Sequence, residues 1–122
     1  FPYKCFYNED KNQVYSFYRQ GQAFCINPDN LEDFRYERMT EMDLGQMMLI
    51  YGEALVARSS SRVLFFRQEY DMVLCVTKWV LFHQIKVRGM IYYIKGNVRI
   101  QVVTDEKIFF YLIDKETLIP HL

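Results

Sequence analysis

TDEKIFFYLID (104–114) sets a polar turn before six apolar residues and closes the run with a carboxylate. Forty-five residues upstream, SSSRVLFFRQ (59–68) repeats the arrangement with three small polar residues, a base and an apolar run. On that shift Arg62-Val63-Leu64-Phe65-Phe66 lies over Lys107-Ile108-Phe109-Phe110-Tyr111, and Ser59-Ser60-Ser61 over Thr104-Asp105-Glu106. Leu55 then falls on Ile100. Aromatic and β-branched runs of this length, bounded by turn formers, are strands. Recurrence at a fixed period makes them parts of a repeated unit.

Strand-like runs separated by short polar turns fill most of the chain. They are KCFY (4–7), QVYSFYR (13–19), AFCI (23–26), LGQMMLIY (44–51), EALVAR (53–58), LCVTKWVLFHQIKV (74–87), GMIYYIK (89–95) and VRIQVVT (98–104). With 62–68 and 107–114 they predict an all-β fold, an antiparallel meander of about nine or ten short strands. Gly96-Asn97 and Asp105-Glu106 suit hairpin turns. Residues 74–87 are long enough for one bent strand or two short ones. Asn27-Pro28-Asp29-Asn30 breaks regular structure. The charged stretch LEDFRYERMTEMD (31–43) reads as a short helix capped by Asp29 or Asn30, or else as a solvated loop.

A third copy lies near the N-terminus. A shift of 49 places Gln13-Val14-Tyr15-Ser16-Phe17 over residues 62–66, and NEDKN (8–12) over ARSSS (57–61). A shift of 50 places Ala23-Phe24-Cys25-Ile26 over Val73-Leu74-Cys75-Val76. Copies near 3–26, 47–76 and 91–116, each of roughly four strands, have the period of β-propeller blades. The segment VRIQVVTDEKIFFYLIDKET (98–117) resembles the inner-strand hairpin of WD40-type β-propeller repeats. There a strand ends in a small polar turn, and the next carries apolar residues before an Asp or Asn. The resemblance implies two to three blades of a propeller, a rigid frame whose face loops bind other proteins. The Gly-His pair and Trp-Asp dipeptide of that family are missing, since Val80 follows Trp79 and neither His83 nor His121 follows a glycine. No functional residue of the family is therefore carried over.

At 122 residues the chain is the size of one domain, and 51% hydrophobic content excludes disorder. Basic and acidic residues balance at 15 each, so no net field draws the chain to nucleic acid or an anionic membrane. Cys5, Cys25 and Cys75 are widely spaced, and without a CxxC pair they argue against a disulfide framework or a zinc site. A reducing, cytoplasmic setting follows as the expectation. No apolar run approaches the roughly 18 residues of a membrane-spanning helix. The opening FPYKCFYNEDK lacks the architecture of a signal peptide and starts in mid-strand. Residues 1–122 are thus expected to form a single β-rich unit, a fragment of a larger propeller.

Catalytic patterns are sparse. Ser59-Ser60-Ser61 lacks a GxSxG elbow and a histidine nearby, and is expected to be a solvated hairpin turn. His83 has strand spacing, which suits a packed or edge histidine better than a general base. No HExxH, P-loop, GxGxxG or EF-hand pattern occurs, and no cofactor is implied. The carboxylate pairs Glu9-Asp10, Glu32-Asp33 and Asp105-Glu106 fall in turns, where acids are common in any case. Arg88-Gly89-Met90-Ile91-Tyr92-Tyr93-Ile94 has the basic-Gly-aromatic order of an RNA-binding strand, but the aromatic spacing and balanced charge oppose it. Tyr92 and Tyr93 are expected to put one ring on each face of a sheet. Trp79 is expected between sheets rather than as a partner anchor.

These observations predict a non-catalytic protein-interaction scaffold whose partners are other proteins or the remainder of a larger parent chain. The surfaces to test first are the charged segment 31–43 and the turn 58–62, represented by Glu32, Arg35, Arg38, Glu41, Arg58 and Arg62. The alternative is a self-contained β-barrel or PH-like domain that binds a small ligand or lipid headgroup in its mouth. A PH-like domain needs a C-terminal helix, and LIDKETLIPHL, broken by Pro120, offers only a stub.

Overall fold

A computed structural model describes residues 3–88, 93–96 and 99–122, with the backbone alone for 93–96. Every regular element in these residues is a strand: β1 (Lys4–Asn8), β2 (Gln13–Phe17), β3 (Gln22–Asn27), β4 (Asn30–Arg38), β5 (Met47–Ile50), β6 (Ala54–Arg58), β7 (Arg62–Asp71), β8 (Val76–Lys86), β9 (Tyr93–Gly96), β10 (Arg99–Val103), β11 (Ile108–Ile113) and β12 (Pro120–His121). They form three four-stranded antiparallel sheets, β1 to β4, β5 to β8 and β9 to β12, each pairing its strands in chain order. None of the three closes on itself.

The two runs that opened the sequence reading are equivalent strands, the third of the middle sheet and the third of the last. Their entry turns share one hydrogen-bond pattern. Ser59 donates its backbone N–H and its hydroxyl to the carbonyl of Arg62, at 2.8 and 3.3 Å. Forty-five positions on, Thr104 does the same to Lys107, at 3.0 and 3.1 Å. A small hydroxyl is needed because it must fold back on its own turn while buried. Among the described residues Ser59 and Thr104 are the buried polar ones.

The sheets stack face to face, with the middle sheet covered on both sides. Leu55, Ala57, Leu64 and Phe66 join Tyr15, Phe17 and Ala23 of the first sheet in one core, with Met47, Leu44 and Trp79. Ala54, Val56, Val63 and Phe65 join Ile100, Val102 and Ile113 of the last sheet in another. Alternate residues of one strand thus serve opposite cores, as the two-residue period of a strand requires. This explains why ALVA and VLFF lack polar alternation, since a strand buried on both faces must be apolar throughout. Residues 39–46 cross from β4 to β5 and are bound to both sheets. Met39 and Leu44 donate to Gly21 and Arg19 of the first (2.8 and 2.5 Å), and Gly45 donates to Arg58 of the middle one (2.7 Å).

Several expectations are sharpened or corrected. The stretch 31–43 is neither helix nor loop over most of its length, because 30–38 is strand β4. Its charges misled the reading, since β4 is an edge strand and edge positions tolerate charge on both faces. Residues 74–87 hold one strand, β8, with a bulge at Phe82 where Phe65 pairs with His83 and Phe66 with Leu81. The two-residue strand β12 carried too little pattern to be foreseen. The shift of 45 relates third strand to third strand, whereas the shift of 49 relates β2, a second strand, to β7, a third. Of the Arg88–Ile94 stretch, Gly89 to Tyr92 lie outside the described residues, as does the Asn97 half of the Gly96-Asn97 turn.

Candidate interaction surfaces

The six charged residues singled out from the sequence do not form one site. Glu32 is exposed in the part of β4 that a register shift leaves unpaired with β3. Arg38 projects from the outer side with Phe34 and Tyr36, while Arg35 points inward, opposite Cys25. Arg38 forms a 3.8 Å ion pair with exposed Glu41. Arg58, at the end of β6, lies against Gly45, where a Cβ would come within 2.6 Å of its Nε. Arg62 donates to Gln84 Oε1 across β7 and β8, at 2.8 Å. Met42 and Asp43, from the end of the charged stretch, share a cavity of about 480 Å³ with Ser59, Ser60, Ser61 and Arg62.

A surface that sequence reading missed is the tip of the β7–β8 hairpin. Met72, Val73 and Leu74 are 82%, 90% and 60% exposed, and Tyr70 stands beside them. The tip is braced rather than loose. Asp71 Oδ1 accepts the N–H groups of Val73 (2.9 Å) and Leu74 (3.0 Å), and Asp71 Oδ2 pairs with Lys78 at 2.8 Å. These bonds, the Lys78 one first, hold the Asp71 carboxyl below its ordinary pKa. Cys75 takes a left-handed φ of 55° to close the turn. The signal lay in the sequence as DMVLC, an Asx-type turn start followed by apolar residues where a hairpin should be polar.

The outer faces of the stack are the second surface. On β11, Ile108, Phe110 and Leu112 are 49%, 64% and 55% exposed, while the alternate Phe109, Tyr111 and Ile113 turn toward the middle sheet. The first sheet likewise shows Phe24 and Phe34 in ring contact (5.6 Å), with Tyr36 against Tyr18 (6.4 Å). Both outer faces of the stack thus carry exposed apolar side chains.

Between the first two sheets, burial shapes the chemistry. Trp79 lies edge-on to Tyr15 and Phe17 (5.4 and 5.3 Å), placing it between sheets. Its backbone N–H, on edge strand β8, donates to Glu37 Oε1 at 3.1 Å. Burial pushes the Glu37 carboxyl above its usual range, and this hydrogen bond offsets part of the rise. Burial also raises the Cys25 thiol, the opposite of what a reactive cysteine needs. His83 sits on β8 with its ring 5.5 Å from that of Phe65, and burial lowers its pKa. Among the described residues no group of three or more His, Cys, Asp or Glu side chains could hold a metal ion, and no helix is long and apolar enough to cross a membrane. No protein-family model and no curated protein matches the chain.

Proposed function

We propose that the chain is a non-catalytic protein-interaction scaffold made of blade-like sheets of a β-propeller, packed in its working form against further protein. The observation that carries this is β11. Its sequence, IFFYLI, has the uninterrupted apolar character of VLFF in β7, yet only one of its faces is covered. A strand apolar on both sides is built to be buried on both sides. Three four-stranded meanders, each feeding its last strand into the first strand of the next, are the arrangement a propeller uses. The braced apolar tip at 72–74 then serves as a contact point for a partner. A self-contained barrel or PH-like domain finds no favouring observation, with three separate sheets and no helix among the described residues.

The test is light scattering and dye binding on residues 1–122. The wild-type chain should self-associate at micromolar concentration and bind a hydrophobic dye through its outer faces. Phe34→Asp combined with Phe110→Asp should give a dye-silent monomer with unchanged β circular dichroism. A wild-type chain that is already monomeric and dye-silent refutes the proposal.

A further inference from the structure

We infer that the cleft between β3–β4 and β7–β8 is a receptor for a carboxylate, presented by an acidic side chain or chain end of a partner peptide. The cleft, about 550 Å³, lies between the first and middle sheets, so it stands whether or not further sheets cover the outer faces. Arg35 lines it in an unusual state. Its Nε is buried and has no hydrogen-bond partner. Among the described residues no carboxylate comes within ion-pair distance of its guanidinium. Asp33 and Glu37 flank it on the same face of β4, but the Glu37 carboxylate is turned to the Trp79 N–H instead. Arg35 is half-buried, with no protein hydrogen bond or ion pair among the described residues. Its terminal N–H groups are therefore the donors it offers the open cleft, and their planar pair fits a carboxylate with two parallel bonds.

The remaining lining supports a monoanion. Lys11 joins Arg35 in the wall, Asp33 opposes them, and Glu37 stands beside Arg35 on β4, so the charges around the cleft balance at two of each sign. That balance suits a carboxylate better than a phosphate dianion. The side-chain oxygens of Gln13 and Gln68 accept from the Tyr15 hydroxyl (3.0 and 3.3 Å), and Gln68 also accepts from Lys11 Nζ (3.0 Å). Their amide N–H groups are what these glutamines have left to offer an acceptor. Val76 adds an apolar shoulder for the stem of an acidic side chain.

Trp79 is the only tryptophan in the chain, and its ring lies edge-on to Tyr15, whose hydroxyl donates to the cleft residues Gln13 and Gln68, so its fluorescence reports on the cleft. The probes are an acetylated, amidated hexapeptide with one central Glu, the same peptide with Gln, and inorganic phosphate, all at constant ionic strength. Saturable binding of the Glu peptide is expected, at least tenfold tighter than the Gln peptide and phosphate. Arg35→Gln should weaken it at least tenfold, and Arg35→Lys should recover only part. A second readout guards against misfolding of the Arg35 variants: in a Cys5→Ser, Cys75→Ser chain with Arg35 intact, the Glu peptide should slow alkylation of Cys25, which lines the same cleft. Equal binding of Glu and Gln peptides, tighter phosphate binding, or absence of both saturation and Cys25 protection overturns the assignment.

Discussion

Removing Phe65 or Phe66 tests whether the middle sheet works as described. The two residues are adjacent and both fully buried, yet they serve separate cores. Truncating a buried phenylalanine to alanine costs about 3–5 kcal/mol through lost transfer energy and the cavity left behind. Domains of this size are stable by about 5–15 kcal/mol, so either change removes a large share. With a urea slope near 2 kcal/mol per molar, each substitution should lower the unfolding midpoint by roughly 1.5–2.5 M. The assay is urea unfolding followed by Trp79 fluorescence and by circular dichroism, in the Phe34→Asp, Phe110→Asp background that suppresses association. Phe66→Ala acts on the core that contains Trp79, and Phe65→Ala on the opposite core. If the sheets unfold together, both variants shift both signals alike. A Phe65→Ala variant that costs less than about 1 kcal/mol refutes two-sided burial, because exposed positions change stability by only about half that.

Gly21 has a φ of +89°, and a Cβ there would collide with the carbonyl oxygen of Thr40. Gly21→Ala should therefore cost more than the roughly 1 kcal/mol of backbone strain alone, read as a lowered melting temperature. Glu37 has a raised pKa, so above the ordinary value of 4.5 the folded chain binds more protons than the unfolded one. Its contribution to stability accordingly falls as pH rises through that window. Glu37→Gln keeps an acceptor for the Trp79 N–H and should flatten this part of the pH–stability curve; an unchanged slope counts against burial as the cause. Met72→Asp with Val73→Asp alters only exposed positions and should shift stability by less than about 0.5 kcal/mol. It should also abolish binding to a partner that the wild-type chain retains in pull-down, and retention of every partner removes the tip from the account.

Much of the fold was legible because burial leaves a local trace. VLFF and IFFYLI could be only strands, and the hydroxyls of Ser59 and Thr104 marked matching turns at matching positions. Strand β4 was not legible. Its alternation places Phe34 and Tyr36 on one face and Asp33, Arg35 and Glu37 on the other, so neither side reads as core. Hairpin pairing to β3 across the turn at 27–30, which the composition of β4 does not announce, decides its conformation. The N-terminal repeat was matched one strand out of step because apolar quintets look alike whichever place they hold in a sheet. The charged residues of 31–43 were found but not their arrangement, since the strand's pleat sends Arg35 inward and Arg38 outward. The apolar hairpin tip was hidden by its own composition, which reads as more strand.

The most direct measurement is a set of nuclear Overhauser contacts from the Phe65 and Phe66 rings in isotope-labelled protein. The stacked arrangement predicts that Phe66 contacts Phe17 and Trp79 of its core, while Phe65 contacts Ile100 and Val102 of the other. Contacts from both rings to the same neighbouring sheet, or none from one of them, would contradict a middle sheet buried on both faces.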